Sequence, residues 1–172
     1  MKVYDGSQSD GAGESGPERV KVGIAELEVT ADGAELTTSG LGSCIGVALH
    51  DERAGVAGLA HVMLPSAEEM ADGNPAKFAD TGTELLIEEM EAEGARRRDI
   101  QAKIAGGSDM LDFSESGAGI GRRNAESVRE TLAAHDVDVA ADVGGDHGRS
   151  LRFESRTGAL EVKSANEGVT RL

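Results

Sequence analysis

The residue pattern predicts an α+β fold: a layered α/β sandwich of mostly antiparallel sheet with two main helices, in a single domain. Three observations carry that expectation. From Val20 onward, short apolar runs recur between Gly, Asp and Ser turn signals, which is how strands read. Two segments, 78–93 and 124–135, carry the three-and-four spacing of a helix with one buried side. The chain of 172 residues is long enough to bury roughly 70% of the surface its unfolded form exposes, as one domain. Runs of strands with two helices inserted belong to sandwiches whose sheets are covered by helices.

Taken in order, residues 1–18 read as a disordered tail, because Asp5-Gly6-Ser7-Gln8-Ser9-Asp10-Gly11 and Gly13-Glu14-Ser15-Gly16-Pro17 hold almost nothing that could be buried. The domain then spans 19–172. Val20, Val22 and Ile24 alternate, Leu27 and Val29 follow after a bulge, and Asp32-Gly33 turns into a strand over 35–39. Segments 44–50 and 56–62 form a hairpin closed by Asp51-Glu52-Arg53-Ala54-Gly55. The helix over 78–93 buries Leu85, Leu86, Ile87 and Met90, with Gly94 at its C-terminal cap. A buried strand covers 100–105, and the second helix uses Val128, Leu132 and Ala133 as its apolar side. Strands over 137–143, 151–155 and 160–163 close the fold, the last two joined by a turn at Thr157-Gly158. No internal repeat is visible.

Composition narrows the function classes. Asp and Glu number 32 against 17 Lys and Arg, for a net charge of −15, which repels nucleic-acid phosphates. Aromatics make up 2% with no Trp, and Arg outnumbers Lys. An acid-rich, lysine-poor, aromatic-poor surface looks like that of proteins from salt-accumulating, halophilic organisms. A single cysteine excludes an intramolecular disulfide and fits a reducing, cytoplasmic compartment. Apolar stretches are strand-sized and no basic segment precedes an apolar one, so neither membrane insertion nor a signal peptide is expected.

That cysteine carries the chemistry. Cys44 ends the glycine-rich run Gly40-Leu41-Gly42-Ser43-Cys44, and His61 follows in Gly58-Leu59-Ala60-His61-Val62-Met63-Leu64-Pro65. A symmetric hairpin centred between Glu52 and Arg53 sets Cys44 directly opposite His61, with Cα atoms about 4.5–5.5 Å apart and side chains on one face. A lone thiol is more often a small buried hydrophobe, and a strand histidine more often a hydrogen-bonded core residue. Cross-strand registry, with only Gly46 and Ala48 beside the thiol on its face, favours a nucleophile and its base.

Other motifs carry less. Gly40-x-Gly42 lacks the third glycine of a dinucleotide fingerprint at the required spacing, and a strand follows it. Gly117-x-Gly119-x-Gly121 precedes a helix but has Arg122 where the fingerprint needs glycine; tight turns explain it better than an anion site. His50, His61, His135 and His147 lack metal-ligand spacing, so no metal is expected. Asp142, Asp146 and His147 read as a solvated loop before a polar cluster, and Arg96-Arg97-Arg98 as a solvated run near a helix end.

Together, Thr38-Ser39-Gly40-Leu41-Gly42-Ser43-Cys44 and Gly58 to Pro65 resemble the chemoreceptor glutamine deamidase family, CheD. Lys77-Phe78-Ala79-Asp80-Thr81, Ala102-Lys103-Ile104-Ala105-Gly106-Gly107, Ile120-Gly121-Arg122-Arg123-Asn124, Asp142-Val143-Gly144-Gly145 and Gly148-Arg149-Ser150 extend the likeness, in order, across most of the chain. The resemblance implies a cysteine hydrolase that converts receptor glutamines to glutamates. It implies a catalytic cysteine, histidine and threonine at Cys44, His61 and Thr38, and a CheC-type phosphatase as a further partner beside the receptors. A thiol needs such help, since at a pKa of about 8.5 it is only a few per cent ionised at pH 7. A thioester route with His61 shuttling the proton lowers both barriers of amide hydrolysis. Backbone N–H groups of Ser43 and Cys44 are the candidate oxyanion donors, and no cofactor is needed. The competing class is a non-catalytic chemotaxis adaptor that binds receptors or the phosphatase through an inert thiol.

Overall fold

The computed structural model describes residues 18–67, 73–108, 119–144, 148–164 and 168–172. Its strands form two five-stranded sheets. The outer sheet contains β1 (Arg19–Lys21), β3 (Glu35–Leu41), β8 (Arg149–Glu154), β9 (Ala159–Ser164) and β10 (Gly168–Arg171), in the order β10-β9-β8-β3-β1. The central sheet contains β2 (Leu27–Thr30), β4 (Ile45–Asp51), β5 (Val56–Val62), β6 (Gln101–Gly106) and β7 (Asp138–Val143), in the order β2-β5-β4-β6-β7. Helices α1 (Ala79–Ala92) and α2 (Ile120–Ala134) lie on the far face of the central sheet. Pairing is antiparallel except for β1 with β3 and β6 with β7.

The period of two along β4 builds both cores. Ile45, Val47 and Leu49 face the helices and pack with Leu86, Ile87, Met90, Val128 and Leu132. Ala48 faces the outer sheet, with Ala57, Leu59, Leu36, Leu151, Phe153, Leu160 and Val162, and half-buried Cys44 joins that cluster. The strands at the centre are thus apolar on both faces, whereas the outer sheet alternates apolar with charged. Its solvent face carries ion pairs of Arg19 with Glu35 (2.7 Å) and of Arg171 with Glu154 and Glu161 (3.0 Å each). A small residue sets the helix distance: a Cβ on Gly58 would stand 2.8 Å from Leu86 Cδ1.

The sandwich agrees with the sequence reading, with five differences. The helices cover only the central sheet, so the outer sheet faces solvent on one side. Ile24 does not continue an alternating strand: it is 56% exposed at the corner where the chain leaves the outer sheet for the central one. Helix α2 begins a full turn earlier, at Ile120, which puts Asn124 inside it, and Leu85 is only half buried on α1. Strand β10 is exposed throughout and offers one apolar side chain, Val169, too little pattern to read. The proposed tail lies outside the described residues apart from Glu18, whose carbonyl accepts from Glu35 N at 2.7 Å. Among the described residues, no helix is long and apolar enough to cross a membrane.

Candidate active site

The hairpin register differs from the symmetric expectation. Strands β4 and β5 pair Ile45 with Val62, Gly46 with His61 and Asp51 with Val56. The four residues 52–55 make the turn, closed by Gly55 N–H donating to Asp51 O at 2.9 Å with Gly55 at φ 69°. The hairpin is therefore centred one residue later, and His61 opposes Gly46 rather than Cys44. Cys44, just before the strand, lies two residues from Gly46 and shares its face, which makes it the diagonal neighbour of His61. Gly46 leaves room for the facing sheet, because a Cβ there would overlap Leu151 Cδ1 unless that side chain shifted.

Thr38 reaches the same place from the other sheet. Strand β3 does not pair with β4; the chain crosses between sheets over residues 42–44, so Thr38 faces His61 across the interlayer. A bulge between Thr38 and Leu41, with Gly40 at φ 79°, adds a residue that keeps both side chains pointing inward. Thr38 Oγ1 stands 2.7 Å from His61 Nδ1 and 2.7 Å from Val22 O. A carbonyl can only accept, so the hydroxyl donates to Val22 and accepts from Nδ1–H. That fixes the imidazole tautomer and leaves the Nε2 lone pair available. Nε2 is buried with no hydrogen-bond partner among the described residues. The corner between β1 and β2 holds the backbone as well: Ala25 N–H donates to His61 O (2.9 Å) and His61 N–H to Glu26 O (3.0 Å). Ala25 takes φ 65° to do so, a left-handed conformation costly for a residue with a Cβ.

The cysteine loop is held by its carbonyls. Gly42 O accepts from Ser108 N–H (2.8 Å), Ser43 O from Asn124 Nδ2 (2.9 Å) and Cys44 O from Gly107 N–H (3.0 Å). The amides of Ser43 and Cys44 have no acceptor among the described residues. Close approach depends on Gly106, at φ 110°, where a Cβ would overlap the Cys44 carbonyl. Burial pushes the Cys44 thiol up from its ordinary pKa and holds the His61 imidazole below its own. Both shifts favour the neutral side chains.

The remaining sequence candidates fall elsewhere. His50 Nε2 sits 2.9 Å from Ser155 O, and His135 Nε2 lies 3.2 Å from Glu84. Asp142 pairs with Arg129 at 2.6 Å, while Gly117, Asp146 and His147 lie outside the described residues. Gly121 is a packing glycine, since a Cβ there would overlap Ser108 O. Arg97 pairs with Glu91 at 3.0 Å. No group of three His, Cys, Asp or Glu side chains is placed to hold a metal ion among the described residues. Sequence reasoning assigned no role to Asn124 or the Gly106-Gly107 pair, although both stood in the runs it singled out. A polar residue at a helix position facing the core was the available signal.

Known proteins are similar to this sequence. A family model described as "CheD chemotactic sensory transduction" matches residues 63–164. A protein of Haloarcula marismortui named "Probable chemoreceptor glutamine deamidase CheD" is 63% identical over 167 residues, covering 96% of each chain. A protein of Clostridium botulinum with the same name is 42% identical over 157 residues, covering 89% of this chain and 97% of its own. "Chemoreceptor glutamine deamidase CheD" of Halalkalibacterium halodurans is 41% identical over 158 residues, covering 89% and 98%. Identity at that level over nearly whole chains, together with the family match, places this chain in the CheD family.

Proposed function

We propose that this protein deamidates glutamine side chains of chemotaxis receptors, with Cys44 as nucleophile, His61 as general base and acid, and Thr38 orienting the imidazole. The observation that carries the reading is the buried Thr38–His61 hydrogen bond, which aims an unpartnered Nε2 into the face shared with the chain's one thiol. The names of the relatives supply the substrate class.

In the reaction, His61 Nε2 takes the Cys44 proton as sulfur attacks the glutamine amide carbon. The developing oxyanion is received by the amides of Ser43 and Cys44. His61 then protonates the nitrogen, the C–N bond breaks and ammonia leaves, giving a thioester on Cys44. Water, deprotonated by the same imidazole, attacks the thioester; the thiol regains its proton and glutamate remains on the receptor. Because burial disfavours both charged forms, proton transfer accompanies attack instead of preceding it. A reduced thiol suits a cytoplasmic enzyme working on the receptors' cytoplasmic domains, and a CheC-type phosphatase is a further partner on this reading.

The test is to incubate the protein with receptor cytoplasmic domains and read Gln→Glu conversion by peptide mass. Conversion is expected with native protein and none with Cys44→Ala. A protein that binds receptors and leaves their masses unchanged is an adaptor instead.

A further inference from the structure

Antiparallel pairing between β4 and β5 ends at Ile45 and Val62. Immediately beyond lie Ser43 and Cys44 on one side and Met63 on the other. No ladder fixes their separation there, yet the thiol and the imidazole depend on it. Asn124, fully buried on the first turns of α2, spans this gap. Its Nδ2 donates to Ser43 O at 2.9 Å and to Met63 O at 3.1 Å, which uses both protons of the side-chain amide. The assignment of nitrogen and oxygen is dictated by chemistry, since two carbonyls need donors.

The helix is itself held against this spot. Gly121, one turn earlier, touches the Gly107–Ser108 backbone so closely that a Cβ would overlap Ser108 O. Gly107 and Ser108 bind the Cys44 and Gly42 carbonyls. One turn later, Ser127 Oγ donates to Pro65 O at 2.7 Å. The first turns of α2 therefore grip the cysteine loop and the chain leaving the histidine strand together.

We propose that Asn124 is a positioning residue for the reaction: its carboxamide replaces the missing ladder and sets how far the Cys44 loop stands from the His61 strand. The inference rests on the reading of Cys44 and His61 as nucleophile and base. Asn124 Oδ1 is buried with no partner among the described residues. A polar group kept at such a cost, where an alanine would suit the helix better, is explained by what its nitrogen holds.

The test uses the full chain carrying Asn124→Ala, with Asn124→Ser as a second variant that keeps one donor should the first lose its cooperative melt. Three quantities are measured: kcat and KM on receptor cytoplasmic domains, melting temperature, and the rate of Cys44 alkylation by iodoacetamide with and without His61→Ala. Expected for Asn124→Ala is a fall in kcat of about tenfold to a hundredfold, the range a displacement of about 1 Å produces, with KM changed less than about threefold. Asn124→Ser should fall between. His61→Ala should slow alkylation in the native background and have no further effect beside Asn124→Ala. A packing role alone would lower the melting temperature and leave that dependence intact, so its persistence, or an unchanged kcat in a folded variant, overturns the proposal. Deamidation surviving Cys44→Ala would overturn the underlying reading, and the positioning role with it.

Discussion

Replacing Thr38 by valine removes one oxygen and keeps the shape, so no cavity opens and the effect isolates the hydroxyl. Two buried groups lose their partner: the Nδ1–H of His61 and the Val22 carbonyl, each 2.7 Å from Oγ1. Leaving a buried polar group unsatisfied costs about 1–3 kcal/mol; two of them cost about 2–6 kcal/mol. That is a large part of the roughly 5–15 kcal/mol typical of a domain, and at about 2–4 °C per kcal/mol for this chain length it lowers Tm by roughly 4–24 °C. Thr38→Ser keeps both hydrogen bonds and loses one methyl, about 1 kcal/mol. In the valine variant the ring is free to turn or change tautomer, and kcat should fall about tenfold to a hundredfold. The assay pairs deamidation kinetics, read below the melting point, with imidazole ¹⁵N–¹H correlation spectra that report which His61 nitrogen carries the proton. A valine variant that keeps native kcat and the Nδ1–H form, or a serine variant as impaired as valine, refutes the reasoning.

Other outcomes follow from the same geometry. Burial holds His61 below its ordinary pKa of 6.5, so the unfolded state binds more protons between the two values. Stability should therefore decline as pH falls through that window, with the acid limb of kcat/KM lying below 6.5. Cys44, raised above its ordinary pKa, mirrors this: the unfolded thiol ionises first, and stability should decline as pH rises past about 8.5, measurable by denaturant melts across pH. Gly106→Ala places a Cβ against the Cys44 carbonyl from a φ of 110°; backbone cannot yield there as a side-chain tip can, so loss of activity and at least about 2 kcal/mol of stability are expected in denaturant titrations. Melting temperature should rise from 0.01 M to 1 M salt, because the Debye length shortens from about 30 Å to about 3 Å and screens the repulsion of a −15 chain; a flat dependence would defeat the charge argument.

Much of the layer structure was legible because central strands announce themselves. Val47, Leu49, Val56, Leu59 and Val62 leave few polar positions, and Leu86, Ile87 and Met90 keep helical spacing. What escaped was set by the connections. The turn at 52–55 decides the hairpin register by one residue at its centre, and composition does not reveal which residue a turn is built around. The jump of the chain at 42–44 from one sheet to the other is also invisible in local pattern, so nothing local shows where Thr38 and His61 meet. Two faces meeting across a sandwich supply that meeting instead. Ile24 looked like a strand residue because alternation continues through a corner that the backbone of Ala25, at φ 65°, turns out of line. Asn124 was passed over because its value lies in two carbonyls, Ser43 O and Met63 O, that no side-chain pattern records.

Thr38 belongs to the outer sheet, while His61 and Cys44 belong to or border the central one, and Val22–Glu26 and residues 42–44 are among the described segments that pass between them near this point. On the proposed roles, neither sheet alone sets an oriented base beside the thiol. A half-folded chain emerging from synthesis, with the hairpin formed but the second layer undocked, would carry an ordinary histidine and a sluggish cysteine. On the proposed roles of Cys44 and His61, reactivity would await closure of the second layer.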